Sequence, residues 1–147
     1  MHPWAAAATS ECSATCRTVS WSWWVARMFI AAYIVKMGRE VHVLVTGGAG
    51  FIGSHTTVAL LQRGHRVTIV DDFQNSSPVA IGRIQQITGR RPELAQVDLL
   101  DEDALEAVFA AAVPDAVIHF AGLKAVGESS ADPLRYYSHN LGTTFSL

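Results

Sequence analysis

A glycine-rich segment early in the chain limits the possible fold more than any other feature of the sequence. It reads Thr-Gly-Gly-Ala-Gly-Phe-Ile-Gly over residues 46–53 and satisfies both G-x-G-x-x-G and G-x-x-G-x-x-G. The β-branched run Val41–Val45 before it predicts a strand. Apolar residues at helical spacing after it, namely Ile52, Val58 and Leu61, predict a helix. A strand, a glycine turn and a helix in this order are typical of a nucleotide-binding unit.

The spacing of the glycines gives this turn a specific chemistry. Gly47 permits the tight turn, and Gly50 lets backbone N–H groups approach a pyrophosphate at the start of the helix. Gly53 lets the helix pack closely on the strand. The alternative is a plain glycine-rich connection between a strand and a helix. The flanking elements favour the nucleotide site over that alternative.

The rest of the sequence alternates short apolar strands with helices. Further strands are predicted at Arg66–Val70, Leu94–Val97 and Ala116–Phe120. Helices are predicted over residues 51–63, 79–87 and 101–112, and from Pro133 to the end of the chain. Short apolar strands separated by helices are the pattern of a parallel sheet covered on both faces. The sequence therefore predicts an α/β, doubly wound, Rossmann-type NAD-binding fold, truncated after about four strands.

Acidic residues end two of the predicted strands. Asp71 ends the second strand, where dinucleotide-binding folds place the acid that accepts hydrogen bonds from the adenosine ribose; a turn cap is the alternative. Asp72 follows it, and two adjacent carboxylates would repel a 2′-phosphate, so NAD is favoured over NADP. Asp98 ends the third strand, where a contact with adenine and an N-cap for the next helix are both open.

The composition argues against several classes of protein. The 147 residues carry a net charge of −2 and are 50% hydrophobic, which supports neither nucleic-acid binding, nor an anionic membrane surface, nor disorder. The two cysteines, Cys12 and Cys16, lack nearby residues that would complete a metal site. We therefore expect no metal, and a reducing, cytoplasmic compartment.

The first forty residues differ in character from the rest. An Ala/Ser/Thr stretch precedes the Trp-rich run Trp21–Val35, which contains Arg27 and is shorter than the ~20 apolar residues of a membrane span. Three interpretations stay open: an incidental or disordered extension, a helix packed on another surface, and a targeting or membrane-contacting segment. The predicted organisation is an extension at 1–40 and an incomplete NAD-binding domain at 41–147.

Two parts of the sequence resemble a known family. Residues 45–55, Val-Thr-Gly-Gly-Ala-Gly-Phe-Ile-Gly-Ser-His, are similar to the opening of the extended short-chain dehydrogenases/reductases. The run His-Phe-Ala-Gly-Leu-Lys-Ala-Val-Gly-Glu-Ser at 119–129, with Pro-Leu-Arg-Tyr-Tyr at 133–137, is more specific and resembles the UDP-glucose 4-epimerases within that family. The resemblance runs from about Val43 to the end of the chain and leaves out the first forty residues.

The resemblance implies NAD as the cofactor and a set of residues that contact it. The implied pyrophosphate contacts are Gly47, Gly50, Phe51, Ile52 and Gly53. The implied contacts of the adenosine ribose and its phosphate are Asp71, Asn75 and Ser76, and those of the adenine are Asp98 and Leu99. Along the nicotinamide half would lie Phe120, Ala121, Gly122, Lys124 and Asn140. One departure is Asp72, where the family often has Asn.

The resemblance also implies an activity, the interconversion of UDP-glucose and UDP-galactose by hydride transfer to and from NAD. The family uses a Tyr-x-x-x-Lys pair, and neither Tyr33, Tyr136 nor Tyr137 has Lys four positions later. We therefore expect an N-terminal fragment without a catalytic residue, inactive alone, whose full-length form is a cytoplasmic homodimer acting on a UDP-sugar. The alternatives are another NAD-dependent sugar-nucleotide epimerase or dehydratase, and a non-catalytic NAD-binding module.

Overall fold

The computed structural model describes residues 40–147, which form a four-stranded parallel sheet with helices on both faces. The strands are β1 (His42–Thr46), β2 (Arg66–Val70), β3 (Glu93–Ala95) and β4 (Ala116–His119). The helices are α1 (Phe51–Gln62), α2 (Val79–Thr88), α3 (Glu102–Ala112), α4 (Val126–Ala131) and α5 (Pro133–Phe145). The strand order is β3-β2-β1-β4. The predicted doubly wound α/β class is confirmed.

Strand β1 lies at the centre of the sheet, with β2 paired on one side and β4 on the other. All of its residues are buried, as a strand covered on both faces requires. Side chains alternate between the faces, so Leu44 joins Leu105 of α3 in one buried cluster. Val45 and its register partner Ile69 point to the other face, where α1 packs on β1 and β2.

The buried face of α1 only partly follows the apolar spacing that predicts the helix. Leu61 is buried, but Ile52 is 37% exposed. The buried residues of α1 are Gly53, Thr57, Leu60 and Leu61. Gly53 sets this face, because a Cβ there would collide with the backbone of the glycine turn.

Several predicted bounds differ from the observed ones. Strand β3 is shorter than predicted and begins at Glu93. The polar stretch before Pro133 contains an additional helix, α4, which is too short for a periodic pattern to show. Helix α5 ends at Phe145, not at the last residue. Helix α3 begins at Glu102, because the Asp101 carboxylate caps it by accepting the Ala104 N–H.

Some predictions fall outside the described residues. Residues 1–39 lie outside the part of the chain that the structure describes. They include the Trp-rich run, both cysteines and all but the last residue of the predicted extension, so the interpretations of that segment stay predictions. Within 40–147, no helix has the length and apolarity that a membrane crossing needs. In the same part of the chain, no group of three or more His, Cys, Asp or Glu side chains is arranged to hold a metal ion.

Val113, the residue that follows α3, is a position where glycine should be more stable than valine. Val113 has φ 44°, a left-handed conformation that costs a β-branched residue about 1–2 kcal/mol. Its side chain is 75% exposed, so little packing is lost on its removal. We expect Val113→Gly to raise the free energy of unfolding by about 1 kcal/mol in urea denaturation. Val79→Gly, in the first turn of α2, is the control and should lower it by about 0.5 kcal/mol. Equal losses would contradict the left-handed cap.

Candidate functional site

The carboxyl ends of the four strands meet at one edge of the sheet. The chain goes from β1 outward through β2 to β3 and then returns to the other side of β1 to form β4. The order therefore reverses between β1 and β4, and ligands of open α/β sheets bind in the crevice at such a point. A cavity of about 380 Å³ lies at this edge, and segments that follow all four strands line it.

The glycine turn forms the middle of the cavity wall and leaves no room for side chains. Gly47 has φ 64°, and a Cβ there would lie 2.6 Å from the backbone nitrogen of Ala121. A Cβ on Gly53 would collide with the carbonyl oxygen of Gly47. The turn thus packs against the end of β4 on one side and against the start of α1 on the other. Both contacts explain why glycine is needed at these positions.

The start of α1 offers unused hydrogen-bond donors to the cavity. Gly50 is its N-cap residue and supplies no side-chain cap, and the first turn contains no acidic residue. The first N–H groups of a helix have no partner within the helix, and the helix dipole adds positive potential there. Gly50 and Phe51 both line the cavity. This end of α1 can therefore accept an anionic group.

The Asp71 carboxylate connects the end of β2 to the glycine turn. Its Oδ2 accepts the Ala49 N–H at 2.9 Å. Its Oδ1 accepts the Phe73 N–H at 3.0 Å and the Ser76 hydroxyl at 2.6 Å. Asp71 is buried, with 7% of its surface exposed. A carboxylate has about four acceptor positions. The three bonds to Asp71 occupy three of these positions, so about one is left for a ligand hydroxyl.

The loop after β2 places further polar groups beside Asp71. Asp72 accepts the Gln74 N–H with its Oδ1 at 2.9 Å, and both residues line the cavity together with Asn75. After β3, Asp98 accepts the Leu100 N–H at 3.0 Å. The N-cap alternative for Asp98 is therefore wrong, because Asp101 takes that position.

A hydroxyl and an imidazole hold the ends of β1 and β4 together. The Thr46 Oγ1 lies 2.7 Å from Nδ1 of His119 and accepts the Phe120 N–H at 3.3 Å. Thr46 is fully buried. Burial lowers the pKa of His119 below its ordinary value of 6.5, which favours the neutral ring. His119 therefore has a structural role.

The segment after β4 is attached to α5 by two side chains. Asn140 accepts the Leu123 N–H with its Oδ1 at 2.8 Å and donates its Nδ2–H to the Leu123 carbonyl at 3.0 Å. The Tyr136 hydroxyl accepts the Ala125 N–H at 3.2 Å. Lys124 lies between these two anchored residues and lines the cavity. Among the described lining residues, it is the only one with a permanent positive charge.

The structure brings most of the predicted site residues together. The exceptions, which do not line the cavity, are Ile52, Gly53 and Asn140. The predicted contacts of these three residues with a cofactor stay predictions, and so do the predicted contacts of the residues that line the cavity. The other residues that line the cavity are not among those singled out from the sequence: Val70, Gln74, Val97, Leu123, Ala125, Glu128, Tyr136, His139 and Thr143. Helical spacing would have indicated the last three, because they share one face of α5.

Fold and site together define a doubly wound nucleotide-binding protein, and comparison with known proteins identifies its family. The model of the NAD dependent epimerase/dehydratase family matches residues 43–147. The chain belongs to this family. The UDP-glucose 4-epimerase of Schizosaccharomyces pombe is 58% identical over 109 residues, which cover 74% of this chain and 31% of that protein. The UDP-glucose 4-epimerase of Bacillus subtilis is 54% identical over 105 residues, which cover 71% of this chain and 31% of that protein.

Two solved structures of UDP-glucose 4-epimerases are similar to this chain in fold. The UDP-glucose 4-epimerase of Bifidobacterium longum, crystallised with NAD+ and UDP, superposes with a TM-score of 0.71 at 55% identity, covering 72% of this chain and 32% of that one. The Stenotrophomonas maltophila enzyme, with NAD and formylated UDP-arabinopyranose, has a TM-score of 0.71 at 46% identity and covers 74% and 32%. The chain thus spans about a third of the length of the relatives that it matches.

The neutral histidines make stability depend on pH. Burial lowers the pKa of His119, and burial followed by the Arg63 charge lowers that of His65, both from 6.5. At these two histidines the unfolded chain therefore binds protons more readily than the folded chain does. The contribution of the two neutral rings to the free energy of unfolding is complete above pH 6.5 and is lost as the pH falls below it. We therefore expect the free energy of unfolding to be lower at about pH 5.5 than at about pH 8.

His119→Asn is the control for this titration. The amide keeps a hydrogen-bonding atom for Thr46 but does not titrate in this range. The fall in stability on acidification, measured by urea denaturation, should be smaller in this variant than in the native chain. An equal fall in both proteins would show that His119 contributes nothing to the pH dependence.

Proposed function

We propose that residues 41–147 bind NAD along the carboxyl edge of the sheet, as the cofactor-binding part of an enzyme. The order of the strands orients the dinucleotide. The segments after β3 and β2 hold the adenosine, the glycine turn after β1 holds the pyrophosphate, and the segment after β4 lies beside the nicotinamide half. The single observation that supports this most strongly is the joining of Asp71 to the glycine turn through the Ala49 N–H at 2.9 Å.

The chemistry of each part of the cavity fits this orientation. Asp71 has about one acceptor position left, which suits a ribose hydroxyl. The uncapped start of α1 suits a pyrophosphate, because free N–H groups and the helix dipole both favour negative charge. Lys124 adds a positive charge on the far side of the turn from Asp71. The absence of a Cβ at Gly53 lets the start of α1 lie directly against the glycine turn, which brings the free N–H groups of the helix to the cavity.

Two carboxylates on the adenosine side favour NAD over NADP. Asp71 and Asp72 both line this part of the cavity, and neither has an ion-pair partner among residues 40–147. A 2′-phosphate placed here would meet two negative charges without a compensating cation. Repulsion between like charges at short range costs on the order of 1 kcal/mol or more near a protein surface.

The test is a calorimetric titration of the 147-residue chain with NAD and with NADP. We expect NAD to bind and NADP to bind at least about tenfold more weakly, because of the like charges. Asp72→Asn keeps an oxygen for the Gln74 N–H and removes one charge, so it should narrow that difference. Equal binding of the two dinucleotides, or no binding of NAD, would overturn the proposal.

We further propose that the whole protein interconverts UDP-glucose and UDP-galactose. The support is the identity of 50% or more to UDP-glucose 4-epimerases of distant organisms. Bound NAD supplies the hydride acceptor and donor for such a reaction. Another sugar-nucleotide epimerase or dehydratase is the second candidate. Protein captured from source cells with an antibody against residues 41–147 should convert UDP-galactose to UDP-glucose; conversion of only a different nucleotide sugar would favour the second candidate. A homodimer and a cytoplasmic location stay predictions.

A further inference from the structure

The start of α4 is capped in an unusual way. Ala125 is its N-cap residue and has no side chain that can cap a helix. Three positions later stands Glu128, where the glutamate of a capping box reaches back to the N–H of the N-cap residue. Here the Tyr136 hydroxyl of α5 stands between the two. It accepts the Ala125 N–H at 3.2 Å and donates to Oε2 of Glu128 at 3.0 Å.

This relay fixes the backbone on one side of Lys124, and Asn140 fixes it on the other. Asn140 makes two hydrogen bonds with the backbone of Leu123. Tyr136 and Asn140 are four residues apart, so they lie on the same face of α5, one turn from each other. A single rigid helix thus sets the backbone position from which the Lys124 side chain enters the cavity.

The relay also gives the Glu128 carboxylate a partner other than Lys124. The two residues are four apart in sequence and line the same cavity. Within residues 40–147, however, both ion pairs are formed by other residues, Arg66 with Glu93 and Arg90 with Glu40. The Tyr136 hydroxyl occupies one acceptor position of Glu128 Oε2. Because Lys124 forms no ion pair within residues 40–147, its charge is available to an anionic ligand.

We propose that Tyr136, acting through Ala125 and Glu128, is a positioning residue that prepares Lys124 for the nicotinamide half of the dinucleotide. This inference rests on the proposed NAD binding. It assigns a function to Tyr136 that needs no contact with the ligand. Only ligands that extend past the glycine turn depend on it. AMP, which ends on the adenosine side, does not.

The experiment compares Tyr136→Phe with Tyr137→Phe in the complete 147-residue chain. Tyr137 is the neighbouring residue, is 67% exposed and lies outside the lining of this cavity, so it is the matched control. Loss of the relay should weaken NAD binding roughly fivefold, about the effect of one hydrogen bond, and leave AMP binding unchanged. Tyr137→Phe should bind both ligands as the native chain does. Calorimetry gives both dissociation constants.

Two further measurements separate positioning from a general loss of structure. Amide hydrogen exchange at Ala125 should become faster in Tyr136→Phe, while exchange in β1 stays as in the native chain. Glu128→Gln keeps an acceptor for the Tyr136 hydroxyl, so its NAD binding should be weakened much less than that of Tyr136→Phe.

Each result has a distinct meaning. Unchanged NAD binding in Tyr136→Phe, or an equal weakening of NAD and AMP, overturns the positioning role and leaves the proposed NAD site intact. Failure of the native chain to bind NAD overturns the proposed function, and the positioning role with it. Weakening confined to NAD, with faster exchange at Ala125, supports the inference.

Discussion

The close contact between α1 and the glycine turn is the constraint on which the rest of the site depends. Gly53 sits directly against the Gly47 carbonyl, and any side chain there would push the helix away from β1. Because the helix starts so close to the strand, its free N–H groups face the crevice between β1 and β4. The same closeness brings the turn within hydrogen-bond distance of Asp71 and in contact with the backbone of Ala121.

Charged groups are distributed unevenly along the sheet edge on the two sides of that contact. Three carboxylates, those of Asp71, Asp72 and Asp98, line the cavity after β2 and β3, while Lys124 and the Glu128 carboxylate line it after β4. The start of α1 lies between them and contributes positive potential without a side chain. A molecule with hydroxyl groups at one end and phosphates in the middle matches this sequence of environments. The arrangement is therefore asymmetric, and we expect it to give a bound dinucleotide one direction.

The sequence predicted the fold well because its strongest signals are local. Strand β2, which lies between Gly64 and a polar loop, was predicted at its observed bounds, and Gly89 ends α2 with φ 69°. Apolar spacing alone does not give the buried face of α1, because close packing at Gly53 also decides which side faces the sheet. Helix α4 was missed because it is too short for a periodic pattern and because the group that caps it, the Tyr136 hydroxyl, comes from another helix. Most of the lining residues that follow strands were therefore predicted, and those on α5 that complete the cavity were not.

The proposal on which the others rest is that NAD binds along the carboxyl edge of the sheet in one orientation. The most direct test is a titration of the isotopically labelled chain with NAD, followed by amide chemical shifts. We expect the largest shift changes in the glycine turn and in the segments after β2, β3 and β4. We also expect AMP to change the segments after β2 and β3 but not the one that contains Lys124. Changes confined to the opposite edge of the sheet, or AMP effects centred on Lys124, would contradict it.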